Sequence, residues 1–140
     1  MTHPQALRAR LFLDANVLIS AAWKEGSKVT RIWRIPNVDL VTSDHVVAEC
    51  TRNLPREEQQ KRLGQLLLAV RVLAFSGTPA LENPPSLPEK DQPVLAAAVL
   101  ARADFLVTGD RKHFGGWYGS TVCGLRVEPP ASFPRVLAEG

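Results

Sequence analysis

The chain lacks any long apolar run and has few of the residues that build covalent or metal crosslinks. None of its 140 residues belongs to a stretch approaching the roughly 18 apolar residues that a membrane-spanning helix needs. The first ten residues also lack the apolar core of a secretory signal. The two cysteines, Cys50 and Cys123, lie far apart without zinc-type spacing. We therefore expect a cytoplasmic protein with no membrane span, no disulfide and no structural zinc.

Motifs of several common enzyme classes are also missing. No Gly-x-Gly-x-x-Gly follows a predicted strand, and no phosphate-binding loop ends in Gly-Lys-Ser/Thr, which argues against a nucleotide-binding Rossmann enzyme. The three histidines have no motif-bearing nucleophile beside them. The formal charge of +3 and pI near 9.2 are only mildly basic, so they permit a nucleic-acid partner without requiring one.

Apolar runs of strand length alternate with segments of helical periodicity over most of the chain. Strands are predicted at 11–13, 39–42, 72–75, 105–108 and 121–127, and helices at 17–23, 28–33, 44–53, 55–70, 91–103 and 131–138. The proline-rich segment 76–88 is predicted to be a connector. Because parallel strands need crossover connections, the pattern predicts a single α/β domain over 1–140, a Rossmann-like α/β/α sandwich with a central, mostly parallel sheet of about four or five strands.

Four acidic residues fall at comparable places in this pattern. Asp14 follows the first predicted strand and Asp110 the fourth, while Asp91 opens an apolar helix. These three are expected at the edge of the sheet where ligands bind in open α/β folds. Glu49 lies at the border of the apolar stripe of its helix and can point into the same crevice. A set of oxygen ligands suits Mg²⁺ or Mn²⁺, which can activate water and stabilise charge on a phosphoryl group.

Each acid also has a purely structural interpretation. Asp14 and Asp91 can cap the helices that follow them, and Asp110 can stabilise a turn. Glu49 can form an exposed ion pair with Arg52, three residues further along its helix. Only the joint placement of the four acids favours a metal site over these alternatives.

The ordered set of motifs resembles the PIN-domain nucleases. The resemblance runs from residue 11 to about residue 114 and is carried by Leu13-Asp14-Ala15-Asn16-Val17-Leu18-Ile19-Ser20, Glu49, Lys90-Asp91, Leu95-Ala96-Ala97-Ala98 and Leu106-Val107-Thr108-Gly109-Asp110-Arg111-Lys112-His113-Phe114. It implies a metal-dependent ribonuclease in which an acidic tetrad binds Mg²⁺ or Mn²⁺ around the scissile phosphate, namely Asp14, Glu49, Asp91 and Asp110. Asn16 and Thr108 would support the tetrad. Many members carry an acid where this chain has His113, which bears on whether a second metal ion is held.

The small size is similar to that of the VapC-like toxins of toxin–antitoxin pairs. That likeness implies an RNA substrate, a cognate antitoxin protein and a homodimer. Arg111, Lys112 and His113 follow Asp110 directly and are candidate contacts for RNA phosphates, with a merely solvated charge run as the alternative. Trp23 and Trp33 either pack in the core or belong to a partner surface.

Two other functions remain open at this level. A phosphoacceptor receiver domain also carries acids at strand ends, but it has adjacent acids after its first strand, whereas Asp14 is followed by Ala15 and Asn16. A PIN domain that binds RNA or a protein partner without cleaving is the other alternative. Labelling of Asp14 by a phosphate donor would favour the receiver domain.

Overall fold

The computed structural model describes residues 9–81 and 87–138, with Lys90 described by its backbone alone. Its centre is a six-stranded sheet in the order β3-β2-β1-β4-β6-β5. Every neighbouring pair is parallel except β5 and β6. The strands are β1 Ala9–Leu13, β2 Val38–Ser43, β3 Arg71–Leu73, β4 Phe105–Val107, β5 Thr121–Val122 and β6 Leu125–Glu128.

Helices connect the parallel strands, as the alternating pattern predicts. The α-helices are α1 Ala15–Trp23, α2 Asp44–Asn53, α3 Glu57–Leu67, α4 Gln92–Leu100 and α5 Arg111–Phe114. Shorter 3₁₀ segments are Lys28–Arg34, Glu89–Asp91, Gly115–Trp117, Pro130–Ser132 and Arg135–Ala138. Successive side chains of β1 point to opposite faces of the sheet, yet Leu11, Phe12 and Leu13 are all fully buried. Both faces of the central strand are therefore covered, and the predicted α/β class with a mostly parallel sheet is confirmed.

The last two strands of the chain, β5 and β6, differ from the sequence prediction. The segment 121–127, expected as one strand, folds into an antiparallel hairpin that raises the strand number to six. Cys123 and Gly124 form its two-residue turn with φ of 51° and 84°. Positive φ at both positions matches the type I′ turn, whose twist suits a tight hairpin.

Several helix predictions were too long or of the wrong kind. The segment 28–33 forms a 3₁₀ helix, and 131–138 splits into two 3₁₀ turns around Pro134, which has no N–H to continue a helix. Helix α4 stops at Leu100 because Arg102 adopts a left-handed conformation with φ of 58°, and the Ala103 N–H then donates to the Ala98 carbonyl. Helix α5, only four residues long, was not predicted.

The proline-rich connector is described only at its two ends. Residues 76–81, 87 and 88 contain no helix or strand, and 82–86 lie outside the described residues. Within 9–81 and 87–138, none of the helices combines the length and the apolar character needed to cross a bilayer.

Candidate functional site

Asp14 lies where β1 passes into α1, buried at the centre of the sheet edge. Its N–H donates to the Val107 carbonyl at 3.0 Å, which fixes the end of β1 beside β4. Its Oδ1 accepts the Ala15 N–H at 2.7 Å, so Asp14 does cap α1. Its Oδ2 accepts the Thr108 hydroxyl at 2.8 Å and the Asn16 amide at 3.4 Å. The capping alternative therefore holds for one oxygen, while the other belongs to a polar network.

The electrostatics of Asp14 oppose its ionisation. The pKa of its carboxyl is raised from 3.8 to about 6, mainly by burial and to a smaller extent by the charges of Glu49 and Asp110. Hydrogen bonds from Thr108 and Ala15 lower this pKa without compensating for burial. A buried acid among other acids is stabilised in its charged form by a cation held nearby.

Thr108 and Asn16 connect the ends of β1 and β4. The Thr108 hydroxyl donates to Asp14 and accepts the Asp110 N–H at 3.1 Å. The Asn16 Oδ1 accepts the Gly109 N–H at 2.7 Å, while its amide lies 3.3 Å from the Thr108 hydroxyl oxygen. A Cβ on Gly109 would lie 3.3 Å from that Asn16 oxygen, closer than ordinary contact. Glycine at this position therefore leaves Asn16 room to hold the loop after β4.

Three polar side chains, those of Asp91, Asp110 and His113, form a second group beside Asp14. Asp110 caps α5 through its Oδ1, which accepts the His113 N–H at 3.2 Å. The other Asp110 oxygen lies 2.7 Å from His113 Nδ1, and an Asp91 oxygen lies 3.1 Å from the same nitrogen. One ligand atom from each of the three residues falls within 4.8 Å of the other two. Asp91 directly precedes α4 but makes no side-chain capping bond there.

Glu49 occupies the exposed face of α2 that borders this region. Among the described residues it forms no ion pair with Arg52 within 4.0 Å, contrary to the structural alternative. Its charge raises the pKa of both Asp14 and Cys50, which locates it close to the buried end of β1. Burial is the larger cause for Cys50, whose pKa rises to about 12, so this thiol is inert at neutral pH.

One cleft brings the four acids together. It has a volume of about 320 Å³ and is lined by Asp14, Asn16, Ile19, Glu49, Asn53, Asp91, Val94 and Asp110. Sequence reasoning missed Ile19, Asn53 and Val94. Asn53 could have been predicted from the sequence, because it lies four positions after Glu49 and therefore on the same helix face.

The three side chains that follow Asp110, those of Arg111, Lys112 and His113, do not all point toward solvent. Arg111 and Lys112 are exposed in the first turn of α5, whereas the His113 side chain is only 16% exposed and faces the two carboxylates. Tyr118, also missed as a neighbour of the site, donates its hydroxyl to the Thr108 carbonyl at 2.8 Å. Burial raises the pKa of that phenol.

The donor chemistry of the cleft fits a small divalent cation. Carboxylates dominate it, and such ligands suit Mg²⁺ and Mn²⁺. Asp14 is held in a fixed orientation by three donors, and the pKa of its carboxyl is raised in the absence of a cation. Asp14, Glu49, Asp91 and Asp110 are thus carboxylates available to hold an ion, and His113 lies beside two of them.

The fold is shared with solved structures of known proteins. VapBC2 from Rickettsia felis, solved bound to a DNA fragment from its promoter, matches with a TM-score of 0.58 and 17% identity over 86% of this chain and 98% of that chain. A PilT N-terminus domain protein from the archaeon Sulfolobus solfataricus matches with a TM-score of 0.55 and 17% identity over 94% and 95% of the two chains. At these identities the likeness concerns the fold.

The sequence comparison is more specific. No curated protein matches the chain significantly. The model of the PIN domain, however, matches residues 10–112, a span that includes all four acids of the cleft. Because this match covers most of its length, the chain belongs to the PIN-domain family.

Proposed function

We propose that this protein is a metal-dependent ribonuclease that hydrolyses RNA phosphodiester bonds. The observation that carries the proposal is the convergence of Asp14, Glu49, Asp91 and Asp110 on one cleft at the carboxyl edge of the parallel sheet. Membership of the PIN-domain family supports nuclease chemistry and makes the receiver-domain alternative unnecessary.

Each acid has a place in the proposed mechanism. Asp14 and Asp110 are the primary ligands of Mg²⁺ or Mn²⁺, and Glu49 and Asp91 complete the site. When bound, the ion supplies a hydroxide at neutral pH and stabilises the charge that develops on the phosphoryl oxygens. Thr108 and Asn16 hold the Asp14 carboxylate in one orientation by donating hydrogen bonds to its Oδ2. The carboxylate therefore needs little reorganisation when the cation and substrate arrive.

The substrate backbone also needs cations outside the acidic cleft. Arg111 and Lys112 are exposed on the first turn of α5, directly after Asp110, and we assign them to contacts with RNA phosphates. Their removal should weaken binding with little dependence on RNA sequence, because phosphate contacts carry no sequence information.

We infer further that the protein is the toxin of a cytoplasmic toxin–antitoxin pair and forms a homodimer. The fold likeness to VapBC2 supports an antitoxin partner. Trp23 is 49% exposed and is a candidate contact for a partner, because aromatic side chains are enriched at interfaces. Coexpression with a protein encoded beside it should suppress cleavage if the pairing is right.

The proposed function is tested by incubating the purified chain with mixed cellular RNA and Mg²⁺ or Mn²⁺. Cleavage should disappear with EDTA and in Asp14→Asn, which keeps the size of the side chain. Asp44→Asn is the matched control, because Asp44 is an exposed acid at the start of α2 that does not line the cleft. Full activity of folded Asp14→Asn would refute the mechanism. RNA binding without cleavage under either metal would support the non-cleaving alternative.

A further inference from the structure

We propose that His113 is itself a ligand of the metal ion through Nδ1, and that this nitrogen gives the site a preference for Mn²⁺ over Mg²⁺. The inference rests on the proposed function, because it takes the acidic cleft to hold a divalent ion. It changes the donor set from oxygen alone to a mixture of oxygen and nitrogen.

The separations between the donor atoms support direct coordination. His113 Nδ1 lies 2.7 Å from an Asp110 oxygen and 3.1 Å from an Asp91 oxygen. Two ligands at about 2.1 Å from a small divalent ion, at right angles to one another, are about 3.0 Å apart. The two separations from Nδ1 lie on either side of this value and are close to those of neighbouring positions in an octahedral site. One donor atom from each of the three residues falls within 4.8 Å of the other two.

The local structure directs the imidazole toward this position. Asp110 caps α5 and accepts the His113 N–H, so the three-residue spacing places the ring beside the carboxylate. The His113 side chain is 16% exposed, and those of Asp91 and Asp110 are 13% and 25% exposed. Coordination through Nδ1 uses the neutral ring with its hydrogen on Nε2, and the fold already places Nδ1 beside both carboxylates.

The nitrogen donor accounts for the expected selectivity. Mg²⁺ is bound almost entirely through oxygen and keeps several waters, whereas imidazole is a ligand for first-row transition metals. A metal site whose ligands here were the carboxylates of Asp91 and Asp110 alone would discriminate little between Mg²⁺ and Mn²⁺. Adding His113 strengthens the binding of Mn²⁺ more than that of Mg²⁺.

The test measures metal binding rather than cleavage. Mn²⁺ bound to the full chain is followed by electron paramagnetic resonance, with Mg²⁺ as competitor, and nitrogen coupling to the bound ion is read from the electron spin echo. In His113→Ala, Mn²⁺ affinity should fall at least about tenfold, on the scale of lost metal-site contacts, with a smaller loss for Mg²⁺. In His113→Asp, which restores an oxygen donor, Mg²⁺ affinity should recover while the Mn²⁺/Mg²⁺ ratio stays low.

Nitrogen coupling assigns the ligand independently of affinity. It should be present in the wild type, absent in both His113 variants and retained in His45→Ala, the matched control on α2. Coupling that persists in His113→Ala, or an unchanged Mn²⁺/Mg²⁺ ratio in folded variants, would overturn the inference. If that happens while wild-type RNA cleavage still requires metal, the proposed nuclease stands and only the ligand assignment fails. If Mn²⁺ does not bind at all, the ligand assignment is refuted, and the proposed nuclease is refuted as well only if RNA cleavage also fails with Mg²⁺.

Discussion

The charged form of the Asp14 carboxyl is stabilised by hydrogen bonds and destabilised by burial, and the effect of burial is larger. Three donors converge on its two oxygens, yet the pKa of the carboxyl rises to about 6. The unfolded chain has a pKa near 3.8 at this group. Between pH 4 and pH 6 the folded protein therefore binds a proton that the unfolded chain has lost, so stability falls as pH rises through this range.

This imbalance predicts that Asp14→Asn stabilises the metal-free protein at pH 7. The pKa difference of about two units corresponds to about 3 kcal/mol, of which a lost charge-assisted hydrogen bond returns about 1 kcal/mol or more. The free energy of unfolding in EDTA should thus rise by about 1–2 kcal/mol at pH 7. Urea unfolding at pH 7 and pH 4 measures it, and the gain should vanish at pH 4, where Asp14 is already protonated.

Asp44→Asn again serves as the control, because Asp44 is exposed and its replacement removes no buried charge. A gain of equal size at both pH values would show that the effect comes from packing rather than charge. A loss of stability in Asp14→Asn at pH 7 would mean that the hydrogen bonds of Thr108 and Ala15 outweigh the cost of burying the charge.

Some residues of the site can be predicted from the sequence and others cannot. The acids at strand ends follow from the alternating pattern, because Asp14 and Asp110 each come directly after an apolar strand. The pairing of His113 with Asp91 does not, since it depends on how α5 is rotated relative to the start of α4. That rotation is set by tertiary packing, in which Phe114 on α5 is fully buried. A three-residue spacing from Asp110 was the available signal.

At the level of elements, the β5–β6 hairpin shows why boundaries were missed. Its turn, Cys123-Gly124, lacks the asparagine or aspartate that usually marks a type I′ turn, so the segment reads as one continuous strand. The 3₁₀ turns near the carboxyl end were missed for a related reason, because apolar spacing alone does not distinguish them from a helix. The central parallel strands were predicted well because their apolar runs are uninterrupted.

The strained turn predicts opposite effects at its two residues. Cys123→Asn should raise the free energy of unfolding by a few tenths to about 1 kcal/mol, because asparagine tolerates positive φ and Cys123 is exposed. Gly124→Ala should lower it by about 1–2 kcal/mol, the cost of a Cβ in the left-handed region. Chemical unfolding of both variants measures the pair. Destabilisation by Cys123→Asn, or no effect of Gly124→Ala, would contradict the turn assignment.

At the scale of the whole molecule, the cleft joins elements that are distant in sequence. Its acids come from the end of β1, from α2, from the start of α4 and from the loop after β4. These side chains converge only in the folded chain, so a divalent ion that binds them binds the native state and not the unfolded one. Metal binding is thereby linked to global stability.

We therefore predict that Mn²⁺ raises the melting temperature of the wild-type protein. At one hundred times the dissociation constant, the linkage is worth about 2.7 kcal/mol, or roughly 8 °C for a chain of this length. In EDTA, Asp14→Asn should have a higher melting temperature than the wild type. Because the variant should gain little from Mn²⁺, the difference between the two melting temperatures should shrink or change sign when the metal is added. Thermal unfolding at pH 7 with Mn²⁺ or EDTA measures this, with Asp44→Asn expected to follow the wild type. An equal Mn²⁺ shift in Asp14→Asn would show that the Asp14 carboxylate is not needed to hold the ion, and would contradict its assignment as a primary ligand.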